Sequence, residues 1–213
     1  MTRCHNTGRK NRKGGVKKMP KQTFQNLPED KKKKILEAAK NEFSRVSVTE
    51  ASINNIVTEA NIARGSFYQY FESKEDLLLF MVNEASEEVK KMVDKKIKEK
   101  GDIFETFIFI YDKIIKTCKD NKNKQFYKTV FANLRANDNI ILGKAKEEIY
   151  SSLLKNTDTS QFKNKEDINI LIDMLNAITR WTIIQTVTGK TPIDMRDKYI
   201  KQIEYIKYGI LKN

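Results

Sequence analysis

From residue 28 onward, apolar residues recur at intervals of three and four, the spacing of buried helical faces. Ile35, Leu36, Ala38, Ala39, Phe43 and Val46 give a first helix its packing face. Pro28 suits its first turn, Glu29 and Asp30 sit at its positive dipole end, and it stops before Ser47-Val48-Thr49. Ile53, Ile56, Val57 and Ala60 fall at i, i+3, i+4 and i+7 and predict a short second helix with Ser52 as its N-cap. Asn61 stands where that helix must end, and asparagine tolerates the left-handed conformation used there. A third helix, about Ala63 to Tyr70, follows almost at once. The expected core of the trio is Ile35, Leu36, Ala39, Phe43, Ile53, Ile56, Val57, Ala60 and Phe67.

Ser73 with Asp76 resembles a capping box, and it opens a long helix that runs to about Lys98 and is stopped by Gly101. The region from Ile103 to Lys119 is apolar on several faces and reads as a central, mostly buried helix. Two shorter helices follow, Gln125 to Arg135 and Asn139 to Lys155, separated by Asn137-Asp138. A polar connection, Asn156 to Asn164, leads to a long helix from Asp167 to Thr188, closed by Gly189 and Pro192. Tyr199, Ile203, Ile206 and Ile210 mark the last helix. The expectation is an all-α chain: a three-helix domain over residues 28–73, then a helical domain over residues 74–213.

Composition agrees, since 32% of residues are charged while glycine (8) and proline (3) are scarce. No apolar run approaches the ~18 residues needed to span a membrane. Cys4 and Cys118 differ too much in setting to form a disulfide framework, which fits a reducing cytoplasm. The net charge of +13 points to nucleic acid, but its distribution weakens that step. Residues 1–28 hold eight Lys or Arg and no acid, whereas residues 29–78 are net −1. Residues 1–27 are therefore expected to be a disordered basic tail, read either as an unstructured segment or as an arm that touches phosphates. Lys13-Gly14-Gly15-Val16 is also what a purine-rich ribosome-binding site and a GTG codon spell when translated. Initiation at Val16 or Met19 is thus an expectation, which the intact mass of the native protein checks.

Two short helices joined by a tight turn make a helix-turn-helix unit, whose second helix enters the major groove of DNA. Ile56-Val57-x-x-Ala60-Asn61 followed by Ala63-Arg64-Gly65-Ser66-Phe67-Tyr68-Gln69-Tyr70-Phe71-x-x-Lys74 resembles the DNA-binding signature of the TetR family of bacterial regulators. The resemblance covers roughly residues 29–90. Asn61 stands in place of the usual turn glycine, and Ala63 in place of the usual serine, so Ala63 cannot cap the third helix. The resemblance implies a cytoplasmic homodimer that binds double-stranded operator DNA and is released by a small-molecule effector. Carried onto matching positions, Arg64, Ser66 and Phe67 face the groove, with Ser52 and Ile53 beside them. Tyr68, Tyr70 and Lys74 meet phosphates, and Gly65 allows close backbone approach. The fork of Arg64 fits guanine O6 and N7. It further implies that the last two helices pair with their copies across a two-fold axis.

Enzymatic chemistry is not expected. His5 is the only histidine, which removes Ser-His and Cys-His arrangements and most zinc sites, and no cofactor or metal is expected. Gly189-Lys190-Thr191 echoes a phosphate-binding loop, but Ile184 stands where that loop needs its first glycine. The aromatic set Phe104, Phe107, Tyr111, Phe126, Tyr127, Phe131, Tyr150 and Trp181 reads either as plain helical core or as the lining of a cavity for an apolar ligand. In the second reading Arg135, Arg180 or the tyrosine hydroxyls supply polar contacts. The alternative to a DNA-binding regulator is a helical ligand-binding protein with a vestigial head, favoured by the uncapped Ala63 and the neutral domain charge.

Overall fold

The computed structural model describes residues 20–119, 121–134, 143–189 and 195–211. The basic segment 1–19, with its two alternative starts, and Asn137-Asp138 lie outside the described residues. Those described form ten α-helices and no strand: α1 (Gln22–Gln25), α2 (Glu29–Arg45), α3 (Ile53–Glu59), α4 (Arg64–Tyr70), α5 (Lys74–Lys100), α6 (Ile103–Thr117), α7 (Asn121–Leu134), α8 (Gly143–Asn156), α9 (Ile168–Thr188) and α10 (Met195–Ile210). The all-α expectation is met.

Two buried clusters divide the chain. Phe24, Ile35, Phe43, Ile56, Phe67, Phe71 and Leu77 belong to the first. Val93, Ile97, Phe107, Tyr111, Leu153, Leu175 and Tyr199 belong to the second. Helix α5 serves both, giving Leu77, Leu78 and Val82 to one and Val93 and Ile97 to the other. Its 27 residues span roughly 40 Å at 1.5 Å per residue. The hydroxyl oxygen of Ser73 accepts the Asp76 N–H at 3.1 Å and starts the helix as expected. Gly101 ends it at φ 67°, and a Cβ there would come within 3.1 Å of Asp158, so the left-handed backbone favours glycine and the packing leaves little room for a side chain.

The expectation of a disordered tail up to residue 27 is corrected for residues 20–27. Gln22–Gln25 form a helical turn, and Phe24 is buried with its ring centroid 5.9, 4.8 and 5.4 Å from those of Tyr70, Phe71 and Phe80. Leu27 packs beside it. One aromatic and one leucine in a polar run suffice to dock the turn, because burying a phenylalanine is worth ~1.5–3 kcal/mol.

The long polar connection after α8 is also tied down. Asp158 N–H donates to Gly101 O at 2.9 Å, and Lys163 N–H to Ile210 O at 2.9 Å. Phe162 is buried there, its ring centroid 6.5 Å from that of Phe104.

The two clusters meet at a second place besides α5. Helix α7 packs on α2, and Phe126 and Val130 are buried in the N-terminal cluster. The Lys40 ammonium lies 6.0 Å from the Phe126 ring centroid, and the Ser44 hydroxyl donates to Lys122 O at 3.1 Å. Tyr127 touches both clusters, and burial pushes its hydroxyl above the ordinary tyrosine range.

Candidate nucleic-acid interface

Helices α3 and α4 form the expected helix-turn-helix. Asn61 has φ 53°, and no other non-glycine among the described residues has a positive φ. Asn61 N–H donates to Thr58 O at 3.1 Å and Ile62 N–H to Val57 O at 3.0 Å. This pair of bonds is the Schellman closure, so asparagine does here what glycine does in the family text.

Ser52 sits at the start of α3 but its side chain caps nothing. Its N–H instead donates to a carboxylate oxygen of Glu42 at 2.8 Å. That carboxylate also accepts Asn55 Nδ2 at 3.2 Å and an Arg45 guanidinium nitrogen at 2.8 Å. Burial pushes the Glu42 carboxyl up, but the bonds from Arg45, Ser52 N–H and Asn55 outweigh it and hold the group below the ordinary value. The cap of α3 therefore comes from α2, ten positions upstream. Its one sequence signal is an acid on the apolar face of α2, between Ala39 and Phe43.

The residues of α4 divide by the helical period. Phe67 and Tyr70, at i and i+3, lie on the inner face with Phe71 just past the helix end buried beside them, while Arg64, Gly65 and Tyr68 lie on the outer one. Phe67 is fully buried and Tyr70 is 5% exposed, so the expectations of groove and phosphate contact for these two are corrected: their rings complete the core. Lys74 is also committed internally, its ammonium donating to Thr49 O at 2.5 Å and Ala51 O at 2.9 Å. Those carbonyls belong to the loop before α3, so Lys74 fixes the loop that presents Ser52 and Ile53. Ser66 is half-buried.

The outward group is compact. An Arg64 guanidinium nitrogen donates to Asn54 Oδ1 on α3, and a second lies 3.4 Å from the Tyr68 hydroxyl. The guanidinium carbon is 5.9 Å from the Tyr68 ring centroid, and Tyr68 is 42% exposed. Ser52, Ile53, Asn54, Arg64, Tyr68 and Lys74 border a shallow hollow of about 440 Å³. A Cβ at Gly65 would meet nothing within 4 Å, so packing within this chain gives no reason for the glycine. Asn54, which orients Arg64, was not among the expected residues; ten positions of sequence separate the pair, and only the fold joins them.

The aromatic set of the second domain does not converge on one space. Phe104, Phe107 and Tyr111 are buried on α6, with the Tyr111 ring centroid 4.7 Å from that of Tyr199. Phe126 belongs to the N-terminal cluster. The Tyr150 hydroxyl donates to Asn169 Oδ1 at 3.0 Å near the surface. Trp181 is 43% exposed on α9, with the Lys198 ammonium 5.0 Å from its ring centroid. The side chain of Phe131 and all of Arg135 lie outside the described residues. The seven members whose side chains are described are thus corrected as a single lining: they stand on different helices, in different clusters or at the surface. Among the described residues, no cluster of three His, Cys, Asp or Glu is placed to hold a metal, and no helix is long and apolar enough to cross a membrane.

Comparison with known proteins gives these features a context. Residues 35–81 match the model of bacterial regulatory proteins of the tetR family. Residues 102–210 match the tetracyclin repressor-like C-terminal domain. The chain is 33% identical over 72 residues to the uncharacterized HTH-type transcriptional regulator YdgC of Bacillus subtilis, a match covering 34% of this chain and 37% of that one. It superposes on the transcriptional regulator FadR of Bacillus subtilis, solved with stearoyl-CoA, with TM-score 0.66 at 21% identity, covering 84% of this chain and 98% of that one. It superposes also on SmeT, the repressor of the Stenotrophomonas maltophilia multidrug efflux pump SmeDEF, with TM-score 0.61 at 15% identity, covering 89% and 93%. With family models matched at both ends and a helix-turn-helix between α3 and α4, the chain belongs to the TetR family of DNA-binding transcriptional regulators.

Proposed function

We propose that this regulator is a cytoplasmic repressor that binds operator DNA as a two-fold dimer and leaves it when a small apolar effector binds the second domain. The outer face of α4 carries the reading. Arg64 is held between Asn54 and Tyr68, beside a glycine that this chain's own packing does not need. A bare backbone next to an oriented guanidinium suits a base edge and a phosphate lying side by side.

Dimerisation is supported by Ile170, Met174, Ala177 and Trp181, which fall at i, i+4, i+7 and i+11 on α9 and are all exposed. Tyr205 and Tyr208 on α10 are 76% and 75% exposed. Large apolar side chains in one stripe mark an interaction surface, and pairing α9 and α10 with their copies gives a four-helix interface. The core between α6, α9 and α10, where Phe104, Phe107, Tyr111 and Tyr199 cluster, is the proposed effector region. Its apolar side chains suit the acyl chain of an effector, and the similar protein FadR was solved with stearoyl-CoA.

Two routes connect that region to the reading head: α5, shared by both clusters, and α7 packed on α2. An effector shifts the heads only through unequal affinity for the two arrangements. The test is a gel shift with duplex from the promoter of the regulator's own gene, with and without long-chain acyl-CoA. Binding that acyl-CoA weakens is expected. No binding at low salt would favour the vestigial-head alternative, and binding indifferent to acyl-CoA would remove that effector class.

A further inference from the structure

The last four carbonyls of a helix have no partner within it. In α4 these belong to Phe67, Tyr68, Gln69 and Tyr70. Phe71 N–H closes the first at 2.9 Å. The other three are all taken by one short stretch of chain nearly fifty positions away. The Lys21 ammonium donates to Tyr68 O at 2.8 Å, the Thr23 hydroxyl to Gln69 O, and Lys21 N–H to Tyr70 O at 3.1 Å. A cation at the negative end of the α4 dipole adds a favourable charge term. Beneath these bonds Phe24 is wedged against Tyr70 and Phe71, so the stretch is fixed to the core as well as to the helix end.

We propose that Lys21, Thr23 and Phe24 are positioning residues for DNA reading: they set the tilt and axial position of α4, and through it the placement of Arg64. A helix of seven residues with no side-chain cap at Ala63 is held at its C-terminal end by this clamp and at its side by the core. A displacement of α4 by a fraction of an ångström separates a bidentate base contact from a poor one, whereas phosphate contacts tolerate it. Loss of the clamp therefore lowers sequence discrimination more than it lowers overall affinity. The inference rests on the proposal that α4 is the reading helix.

The test uses the full chain and two probes: the duplex that the unaltered protein enriches from a random-sequence pool, and a scrambled version of it. Lys21→Met with Thr23→Val removes both side-chain donors while keeping their bulk. The affinity ratio of the two probes is expected to fall about tenfold, equivalent to about 1.4 kcal/mol, with only a modest fall in melting temperature, because both bonds lie at the exposed surface where water replaces the lost donors. The salt dependence on scrambled duplex is expected to stay the same, and Lys21→Arg alone to retain most of the discrimination. If the pair unfolds the domain, Thr23→Val alone carries the comparison, with about a threefold fall expected. An unchanged ratio overturns the inference. Equal losses on both probes with a salt slope shallower by about one also overturn it, because Lys21 would then be a phosphate contact. Arg64→Ala is measured alongside. If it loses the ratio while the pair keeps it, only the positioning role falls; if it keeps the ratio, the reading assigned to α4 falls first.

Discussion

The Glu42 carboxylate accepts the backbone N–H of Ser52 at 2.8 Å and so caps the first helix of the DNA-reading pair from inside α2. Glu42 is only 4% exposed, while its partner Arg45 reaches solvent. A buried acid is costly unless its oxygens are satisfied, and here Arg45, Ser52 and Asn55 satisfy them.

Glu42→Gln is therefore expected to destabilise the protein by about 2 kcal/mol, the range for hydrogen bonds to a charged group, read as a lower melting temperature. The sign of the pH effect follows from its lowered carboxyl. The unfolded chain binds the proton more tightly, so Glu42 contributes stability above the ordinary glutamate value of 4.5 and loses it as pH falls through the lower folded value. Glu42→Gln is expected to flatten the acid limb of the stability curve between 4.5 and the lower folded value. An unchanged acid limb would show that Glu42 is not the group responsible.

Arg64→Ala is expected to relax sequence preference by ~1–3 kcal/mol at the position Arg64 reads. Selection from a random-sequence pool measures this as loss of information at one base pair in each half-site. Asn54→Ala is expected to have a weaker effect of the same kind, because Asn54 orients the guanidinium.

Lys74 makes a sharper contrast between sequence and structure. A lysine at the end of the family signature implied a phosphate contact, yet its ammonium closes the carbonyls of Thr49 and Ala51. Lys74→Met is expected to lower stability by ~1–3 kcal/mol without DNA present, since two acceptors lose a charged donor. A pure phosphate contact would leave the melting temperature unchanged and make the salt slope of DNA binding shallower by about one.

These cases mark what was legible in the chain beforehand. Helix ends were, because their signals are local: Pro28 before α2, Asn61 after α3, Ser73 before α5 and Gly101 after it each act within a few residues. The outer face of α4 was legible by residue type from the family text. The text does not say which face each residue takes, so Phe67 and Tyr70 were drawn to the DNA although the spacing with Phe71 places them inward. Contacts across long stretches of chain were not legible. Phe24 finds its partners only once α4 and α5 are assembled, Glu42 finds Ser52 only once α3 folds back, and nothing local in α7 says that Phe126 turns toward α2.

Trp181 separates two readings of the second domain. As part of an aromatic cavity lining it would alter the effector response and leave assembly unchanged. Its 43% exposure, in line with Ile170 and Met174 on α9, places it in the apolar stripe instead. Trp181→Arg puts a charge into the proposed four-helix interface, where truncation of a hot-spot tryptophan costs about 2 kcal/mol or more. The dimer dissociation constant is expected to rise by at least about 30-fold, measured by sedimentation over a range of concentrations. Binding to a two-half-site duplex should weaken in parallel, because two heads held together gain from effective concentration that separate heads lack. Binding to a single half-site should change little. A variant that stays dimeric but loses its response to effector would return Trp181 to the cavity reading.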